Sequence, residues 1–276
     1  MNDQRKNGTA KDGHYARLRR AHRDQSRSGS QETDSKAVYL YGLHTVRAAL
    51  DNPARTVKRM LVTRNAAQRL ELGALEDLPF PAELVEPKKI DAVIGAEAVH
   101  QGVIIEVEAR PAKPLSALGE ATLVLVLDQV TDPHNVGAIM RSAVAFGADA
   151  LVTTTRHRPA ESGVLAKAAS GALEHIEHIE VRNLANALEE LHTAGFQTIG
   201  LDSDGDLALE KALEADKLAL VLGAEGKGLR QKTRETVTTL ARLDMPGAIR
   251  SLNVSNAAAI SLYVSRQHLT ARNVGG

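Results

Sequence analysis

Apolar positions in residues 122–223 occur in short continuous runs that are separated by helical segments. TLVLVLD, ALVTTT, FQTIGLD and KLALVLG are typical β-strand runs, and LANALEELHTAG has a helical period that ends at Gly195. Continuous apolar strands that alternate with helices predict a mostly parallel sheet covered on both faces. The pattern therefore predicts an α/β fold, with ligands bound past the carboxyl ends of the strands.

The pattern ahead of this region predicts a separate, smaller α/β unit over residues 37–110. AVYLYGLHTVRAAL begins with alternating residues and continues with a helical period, and VKRMLVT and VIIEVEA are typical of strands. NAAQRLELGAL predicts a helix that begins at Asn65. Residues 111–121 contain two prolines and a glycine and predict a linker to the second domain, 122–274.

Charge is distributed unevenly, although the 276-residue chain has 34 basic and 34 acidic residues and no net charge. Residues 1–30 hold eight Lys/Arg against three Asp, and they have few large apolar side chains. Such a segment cannot bury enough apolar surface to fold, so residues 1–36 are predicted to be a disordered basic tail. Two interpretations stay open for it: an arm that follows nucleic-acid phosphates, or a solubilising extension.

Composition excludes several kinds of chemistry. The chain has no cysteine, which removes disulfides, thiolate nucleophiles and cysteine-based metal sites. His134 and the His175/His178 pair lack further ligands at matching spacing, so no metal site is expected. With seven aromatic residues in all, the chain offers no stacking platform for bases. No membrane-length apolar run or signal core is present, and a cytoplasmic location is expected.

Polar clusters follow three of the predicted strands, at 128–135, 223–228 and 244–255. The first leads into a helix in which Arg141 lies among Ala, Val, Ile and Met, and a buried arginine is expected there. The second, LVLGAEGKGL, fits neither the dinucleotide nor the P-loop fingerprint, so a ligand loop and a structural turn both stay open.

The third cluster predicts a polar pocket at the start of a long helix. It carries four hydroxyl or amide side chains, more than helix capping requires: Ser251, Asn253, Ser255 and Asn256. The small residues that follow would allow close packing against another helix, from the same chain or from a partner subunit.

Together the clusters resemble the three motifs of the SpoU (TrmH-type) family of RNA ribose 2'-O-methyltransferases, within the SPOUT superfamily. DPHNVGAIMRSAVAFGA, LVLGAEGKGL and RSLNVSNAAAISLY occur in the family's order. YGLHTVRAAL and AVHQGVIIEV resemble the ends of the small ribosomal-protein-like substrate-binding domain of the RlmB branch. The resemblance spans about residues 38–268 and leaves out the basic tail.

The resemblance implies a methyltransferase domain threaded into a trefoil knot, a homodimer packed through that domain, and S-adenosylmethionine as methyl donor. The donor would be held largely by backbone at Gly223, Leu243 and Leu252, with Leu222, Ala224 and Met245 nearby.

The same resemblance implies the catalytic residues Arg141, Asn135, Glu225, Ser251 and Asn253. A guanidinium is effectively never deprotonated in proteins, so Arg141 is expected to clamp a phosphate and stabilise the developing alkoxide. Glu225 would orient Arg141 or the turn before its helix, while Ser251 and Asn253 would hold ribose and donor. Asn135 could instead cap the helix, and Glu225 could form a structural ion pair with Arg141.

The expected substrate is RNA, most specifically a guanosine of 23S rRNA, because the minimal tRNA enzymes usually lack a substrate domain. The alternatives are a tRNA enzyme, an enzyme that methylates a nucleotide to confer antibiotic resistance, and a catalytically silent RNA-binding protein of ribosome assembly. An oxidoreductase is not favoured, since no dinucleotide fingerprint is present. Asp244 and Arg250 depart from the usual pattern of the branch, which bears on the fine geometry of the donor pocket.

Overall fold

The computed structural model describes residues 37–274, and the basic tail predicted for residues 1–36 lies outside this range. The strands are β1 (Val38–Tyr41), β2 (Val57–Val62), β3 (Ala82–Leu84), β4 (Val103–Val107), β5 (Leu123–Asp128), β6 (Ala150–Thr154), β7 (Glu177–Val181), β8 (Gln197–Leu201), β9 (Leu207–Ala208), β10 (Leu218–Gly223) and β11 (Thr239–Arg242). The α-helices are α1 (Leu43–Asp51), α2 (Arg64–Arg69), α3 (Pro87–Ile94), α4 (Pro133–Ala145), α5 (Gly163–Ala169), α6 (Leu184–Thr193), α7 (Leu209–Ala212), α8 (Gln231–Thr236) and α9 (Val254–Val274).

The larger sheet has seven strands in the order β7-β6-β5-β10-β8-β11-β9, and its strand pairs are parallel. The two central strands pair from Leu123 with Leu218 to Asp128 with Gly223. Every residue of β5 is buried, as are the first five of β10, because helices cover both faces. The predicted α/β class is confirmed.

The smaller sheet has the order β1-β4-β2-β3, with β3 parallel to β2 and the other pairs antiparallel. Alternating side chains of β2 face different cores. Leu61 packs with Ile90 of α3, whereas Met60 and Val62 join the core that continues into the seven-stranded unit. The two sheets therefore share one apolar core.

Polar contacts fix the two sheets together. Arg55, just ahead of β2, is fully buried at its side chain and bonds Glu174 and Glu161 of the seven-stranded unit. A second contact is made by Thr45 Oγ1, which donates to the Ala166 carbonyl over 3.2 Å. Gly163 starts α5 against the ring of Tyr41, where a Cβ atom would lie 2.2 Å from a ring carbon.

One sequence prediction of local structure differs from the fold, and the structure adds detail to the predicted linker. The helix expected from Asn65 begins at Arg64, with Thr63 as its cap, and ends at Arg69. It stops because Glu71 adopts a left-handed backbone with φ 51°. The linker 111–121 contains a 3₁₀ turn, Leu115–Leu118, and pairs through Lys113 with Ile179 of β7. Pro114 caps the start of the 3₁₀ turn, and the linker is packed against the larger sheet.

Within residues 37–274, no helix combines the length and the apolar character that crossing a membrane requires.

Candidate active site

A cavity of about 290 Å³ lies where β8, β10 and β11 end at the carboxyl edge of the larger sheet. Its walls are the loops that follow these strands and the start of α9. All six positions expected to hold a methyl donor line it: Gly223, Leu243, Leu252, Leu222, Ala224 and Met245. Leucine and methionine side chains beside exposed glycine backbone make a pocket that suits a flat, partly apolar ligand with polar ends.

The structure explains why glycine occupies positions 223 and 228 of the loop. The Gly228 N–H donates to the Ala224 carbonyl over 2.8 Å and closes a tight turn. Gly228 adopts φ 64°, a left-handed conformation that favours glycine. At Gly223 a Cβ atom would lie 2.1 Å from the carbonyl carbon of Gly228. The loop therefore folds back on its own strand, which brings its backbone to the cavity wall.

Three polar side chains from three separate segments meet beside this cavity. The Asn253 Nδ2 donates to Glu225 Oε1 over 2.6 Å and lies 3.1 Å from Asn135 Oδ1. The Asn135 Nδ2 also donates to Glu225 Oε1, over 3.1 Å. These residues come from the start of α4, the loop after β10 and the start of α9. The Asn135–Glu225–Asn253 cluster thus joins the three motifs at one point.

Helix capping does not use the side chain of Asn135. Asp132 is the N-cap of α4, and its carboxylate accepts from the Asn135 backbone N–H over 2.9 Å. The Asn135 amide is therefore available to Glu225. The Asn253 side chain has two roles. Its Oδ1 accepts hydrogen bonds from the backbone N–H and the hydroxyl of Ser255, and its Nδ2 donates to Glu225.

Ser251 and the two unusual residues of the third motif have different surroundings. Ser251 and Arg250 both line the cavity and are exposed. Asp244 instead points to Arg242, whose Nε lies 2.9 Å from its carboxylate, and does not line the cavity. Of the two departures, only Arg250 therefore bears directly on a bound ligand.

The expected burial of Arg141 is wrong. Its side chain is exposed, because the buried face of α4 is formed by Val136, Gly137, Ile139, Met140 and Ala143. Six residues at 3.6 per turn place it about 120° around the helix from Asn135. Within the described residues it has no hydrogen bond or ion pair, so the alternative of a structural ion pair with Glu225 is also wrong. Glu225 contacts the α4 turn instead.

The sequence interpretation missed two polar residues of the cavity, Asp202 and Ser203. They directly follow β8, and their position after a buried parallel strand was the available signal. Asp202 is held by Arg234 of α8. Asp128, the first residue of the 128–135 cluster, does not line the cavity, and its fully buried carboxylate accepts from the backbone and side chain of Arg230.

Within residues 37–274, no group of three or more His, Asp or Glu side chains is arranged to hold a metal ion. His178 instead faces Thr153, with Nε2 2.9 Å from Oγ1.

Comparison with known proteins matches nearly the whole described chain. The family model described as SpoU rRNA Methylase family matches residues 122–263. A second model, described as RNA 2'-O ribose methyltransferase substrate binding, matches residues 39–112. The two matched regions carry the seven-stranded and the four-stranded sheet.

A protein of Ralstonia nicotianae named 23S rRNA (guanosine-2'-O-)-methyltransferase RlmB is 36% identical, over 83% of this chain and 95% of its own length. Two solved structures share the fold at a TM-score of 0.71. One is an AdoMet-bound rRNA methyltransferase from Sinorhizobium meliloti, 24% identical, with 91% of each chain covered. The other is the SpoU methyltransferase AviRb from Streptomyces viridochromogenes in complex with AdoMet, 22% identical, with 89% and 92% covered.

Proposed function

Because this chain belongs to the SpoU rRNA methylase family, we propose that it methylates the 2'-hydroxyl of a ribose in 23S rRNA, at a guanosine, with S-adenosylmethionine as donor. The observation that carries the proposal is the Asn135–Glu225–Asn253 cluster, which adjoins the cavity through Glu225. It unites the three motifs in a chain that spans 95% of a relative bearing this activity in its name.

The cavity fits the donor by shape and chemistry. Leu222, Leu243 and Leu252 offer apolar surface for an adenine ring, and the loop 223–228 offers backbone groups for its polar edge. Asp202 and Ser203 add polar side chains to the wall, and Arg234 fixes the Asp202 carboxylate in place. S-adenosylmethionine supplies an electrophilic methyl group when bound.

The protein must position the ribose and remove a proton from a poorly acidic hydroxyl. Glu225, oriented by two amides, fixes Asn135 and Asn253 in one arrangement. Ser251 lines the cavity and holds the ribose and donor there, and Asn253 lies beside it in the cluster. Arg141 clamps the adjoining phosphate and stabilises the developing alkoxide with its fixed charge, and the proton passes to phosphate or water.

Residues 37–110 act as the RNA-binding domain and residues 122–274 as the methyltransferase domain. Support comes from the substrate-binding family model over residues 39–112 and from the buried bonds that hold the two sheets together. A rigid joint between them gives a structured RNA two fixed surfaces, so the small domain selects which ribose reaches the cavity.

The enzyme works as a homodimer whose subunits meet through α4 and α9. Two observations support this arrangement. Tyr263 and Ile260 of α9 are 53% and 43% exposed, which is unusual for large apolar side chains on a helix that also packs on α4. Arg141 lies on the exposed side of α4, away from the cluster of its own chain, so the neighbouring subunit receives it.

The C-terminal segment forms the trefoil knot of the family. After β11 the chain passes the 223–228 loop, lines the same cavity and continues into α9 beside α4. Because α9 contacts both β10 and α4, the chain returns from β11 toward the middle of the sheet, which supports a knotted crossing.

The test is a map of ribose methylation in 23S rRNA and tRNA from a strain that lacks this gene, with and without the gene restored. One guanosine of 23S rRNA should lose and regain its 2'-O-methyl group. Methylation lost from tRNA would assign a different substrate, and an unchanged map with intact donor binding would indicate a catalytically silent protein.

A further inference from the structure

A second concave surface lies at the carboxyl edge, on the far side of the Asn135–Glu225–Asn253 cluster from the donor cavity. It is a groove of about 560 Å³ formed where β6 and β7 end. Three arginines line it, Arg156, Arg182 and Arg230, together with polar residues that include His157, Thr155 and Asn183. Among the described residues no carboxylate side chain lines it. We call this surface the arginine groove.

Two of the three arginines in the groove form no ion pair within the described residues, unlike their neighbour Arg158. Arg158, in the same loop, is paired with Glu180 over 2.7 Å. Arg156 and Arg182 are exposed and have no ion-pair partner within residues 37–274. Two permanent charges therefore remain free to meet an anion.

Arg230 is held in place rather than free. The buried carboxylate of Asp128 accepts from its backbone N–H over 3.0 Å and from its Nε over 2.6 Å. No described residue accepts a hydrogen bond from its two terminal guanidinium nitrogens, so these remain available to a ligand in the groove. Asp128 offsets the charge of Arg230, so the excess positive charge comes from Arg156 and Arg182.

The position of the groove relates it to the methylation site. In the strand order β7-β6-β5-β10-β8, the groove lies at β7 and β6, the cluster at β5 and β10, and the donor cavity at β10 and β8. With strands about 4.8 Å apart, groove and cluster are separated by about two strands, or about 10 Å. An RNA strand whose ribose lies at the cluster therefore passes the groove with a neighbouring nucleotide.

We propose that the arginine groove binds backbone phosphates of the substrate RNA next to the methylated nucleotide. This inference rests on the proposed function. A planar guanidinium group can donate two parallel hydrogen bonds to two oxygens of one phosphate, so arginine is well suited to bind a phosphate. The lining has no Phe, Tyr or Trp and three arginines, so phosphate contacts dominate and position the strand without reading its sequence.

The test compares the Arg156→Gln/Arg182→Gln variant with wild type on a 23S rRNA fragment that wild type methylates. The dissociation constant of the RNA should rise about tenfold, and the slope of its logarithm against log salt should fall by about 1.4 to 1.8, for two lost phosphate contacts. The affinity for S-adenosylmethionine should not change. Arg230 is left intact, because its removal would strand the buried Asp128.

The matched control is Lys211→Gln/Lys217→Gln, which removes the same charge from the same unit outside the groove. Lys217 directly precedes β10, at the opposite edge of the sheet. A control that lowers the salt slope equally would overturn the inference, as would an unchanged slope in the groove variant. Either result leaves the proposed function standing, whereas wild type without rRNA methylation would refute that function first.

Discussion

Arg55 and Glu174 form a buried ion pair that joins the two sheets. Arg55 Nη2 lies 2.6 Å from Glu174 Oε1, and the two side chains are 0% and 1% exposed. The Arg55 Nη1 also reaches Glu161 over 2.7 Å and the Glu108 carbonyl over 2.9 Å. The guanidinium is therefore surrounded by acceptors, and removing one partner leaves the other charge buried.

The first prediction is that Arg55→Ala destabilises the fold by about 3–5 kcal/mol, because Glu174 then stays buried without its counter-ion. Chemical denaturation followed by circular dichroism measures the change. The double variant Arg55→Met/Glu174→Leu should recover part of the loss, since it removes the fully buried pair and keeps the volume, while Glu161, 10% exposed at its side chain, still lacks Arg55.

The matched control for this prediction is the exposed pair Lys89–Glu83, whose nitrogen and oxygen are 2.5 Å apart. Lys89→Ala should cost no more than about 1 kcal/mol, because water screens the pair. Equal losses in Arg55→Ala and Lys89→Ala would contradict the role assigned to the buried pair.

A second prediction concerns acid stability. Burial, together with Arg158 and Arg110 nearby, lowers the pKa of His178 to about 4 from its ordinary 6.5. The unfolded chain thus binds a proton at a pH where the folded chain does not. Stability from this residue is complete above pH 6.5 and falls by roughly 3 kcal/mol as pH drops toward 4.

Urea denaturation between pH 4 and pH 8 checks this prediction. His178→Gln should flatten the acid limb of the stability profile, while His175→Gln, an exposed neighbour on the same segment, should leave it unchanged. A profile that keeps its full acid limb in His178→Gln would assign the pH dependence to other groups.

The sequence predicted the parallel sheet because its strands are buried on both faces and therefore apolar throughout. It missed β7, whose pattern of Glu177, His178, Ile179 and Glu180 is that of a strand at the edge of the sheet. Only Ile179 is fully buried there. A strand with a single buried side chain has too few apolar residues in its sequence to be distinguished from a loop.

The site was predictable to the extent that motifs follow strand ends. Glu225 and Asn253 meet because their strands end at one edge, but no pattern in the sequence specifies that both contact the amide of Asn135. Arg141 was misplaced for a geometric reason. The apolar residues around it in sequence form the buried face of α4. Each residue turns the helix by about 100°, so Met140 is buried while the next residue, Arg141, is exposed.

A third prediction tests the donor cavity through Gly223→Ala. The added methyl group would meet the Gly228 carbonyl carbon at 2.1 Å, so the loop must move away from its strand. Overpacking of this kind costs about 1–3 kcal/mol, and the affinity for S-adenosylmethionine should fall by about tenfold or more. Calorimetric titration with the donor measures the effect.

Gly73→Ala is the control for this substitution, since nothing lies within 4 Å of its added Cβ. It should bind the donor like wild type. If Gly223→Ala also binds the donor normally while folding normally, the 223–228 loop is not part of the donor site.

The last prediction concerns Arg141 and which subunit it serves. Arg141→Ala and Glu225→Ala should each lower turnover on the order of 100- to 1000-fold, because each removes a preorganised charged group. Arg141→Lys should recover little if the planar fork matters. Donor affinity should stay near wild type in Arg141→Ala, since that side chain does not line the cavity.

Mixed dimers then distinguish the two arrangements. Co-expression with two different affinity tags and sequential purification give dimers with one Arg141→Ala and one Glu225→Ala subunit. If Arg141 serves the neighbouring site, one site of each mixed dimer carries both defects and the other none, so activity returns to about half of wild type. If Arg141 serves its own site, every site keeps one defect and the mixed dimers stay inactive. A doubly tagged dimer of wild type with Arg141→Ala, half active in either arrangement, controls for the tags. Because α4 turns Arg141 about 120° from Asn135, we expect the recovery.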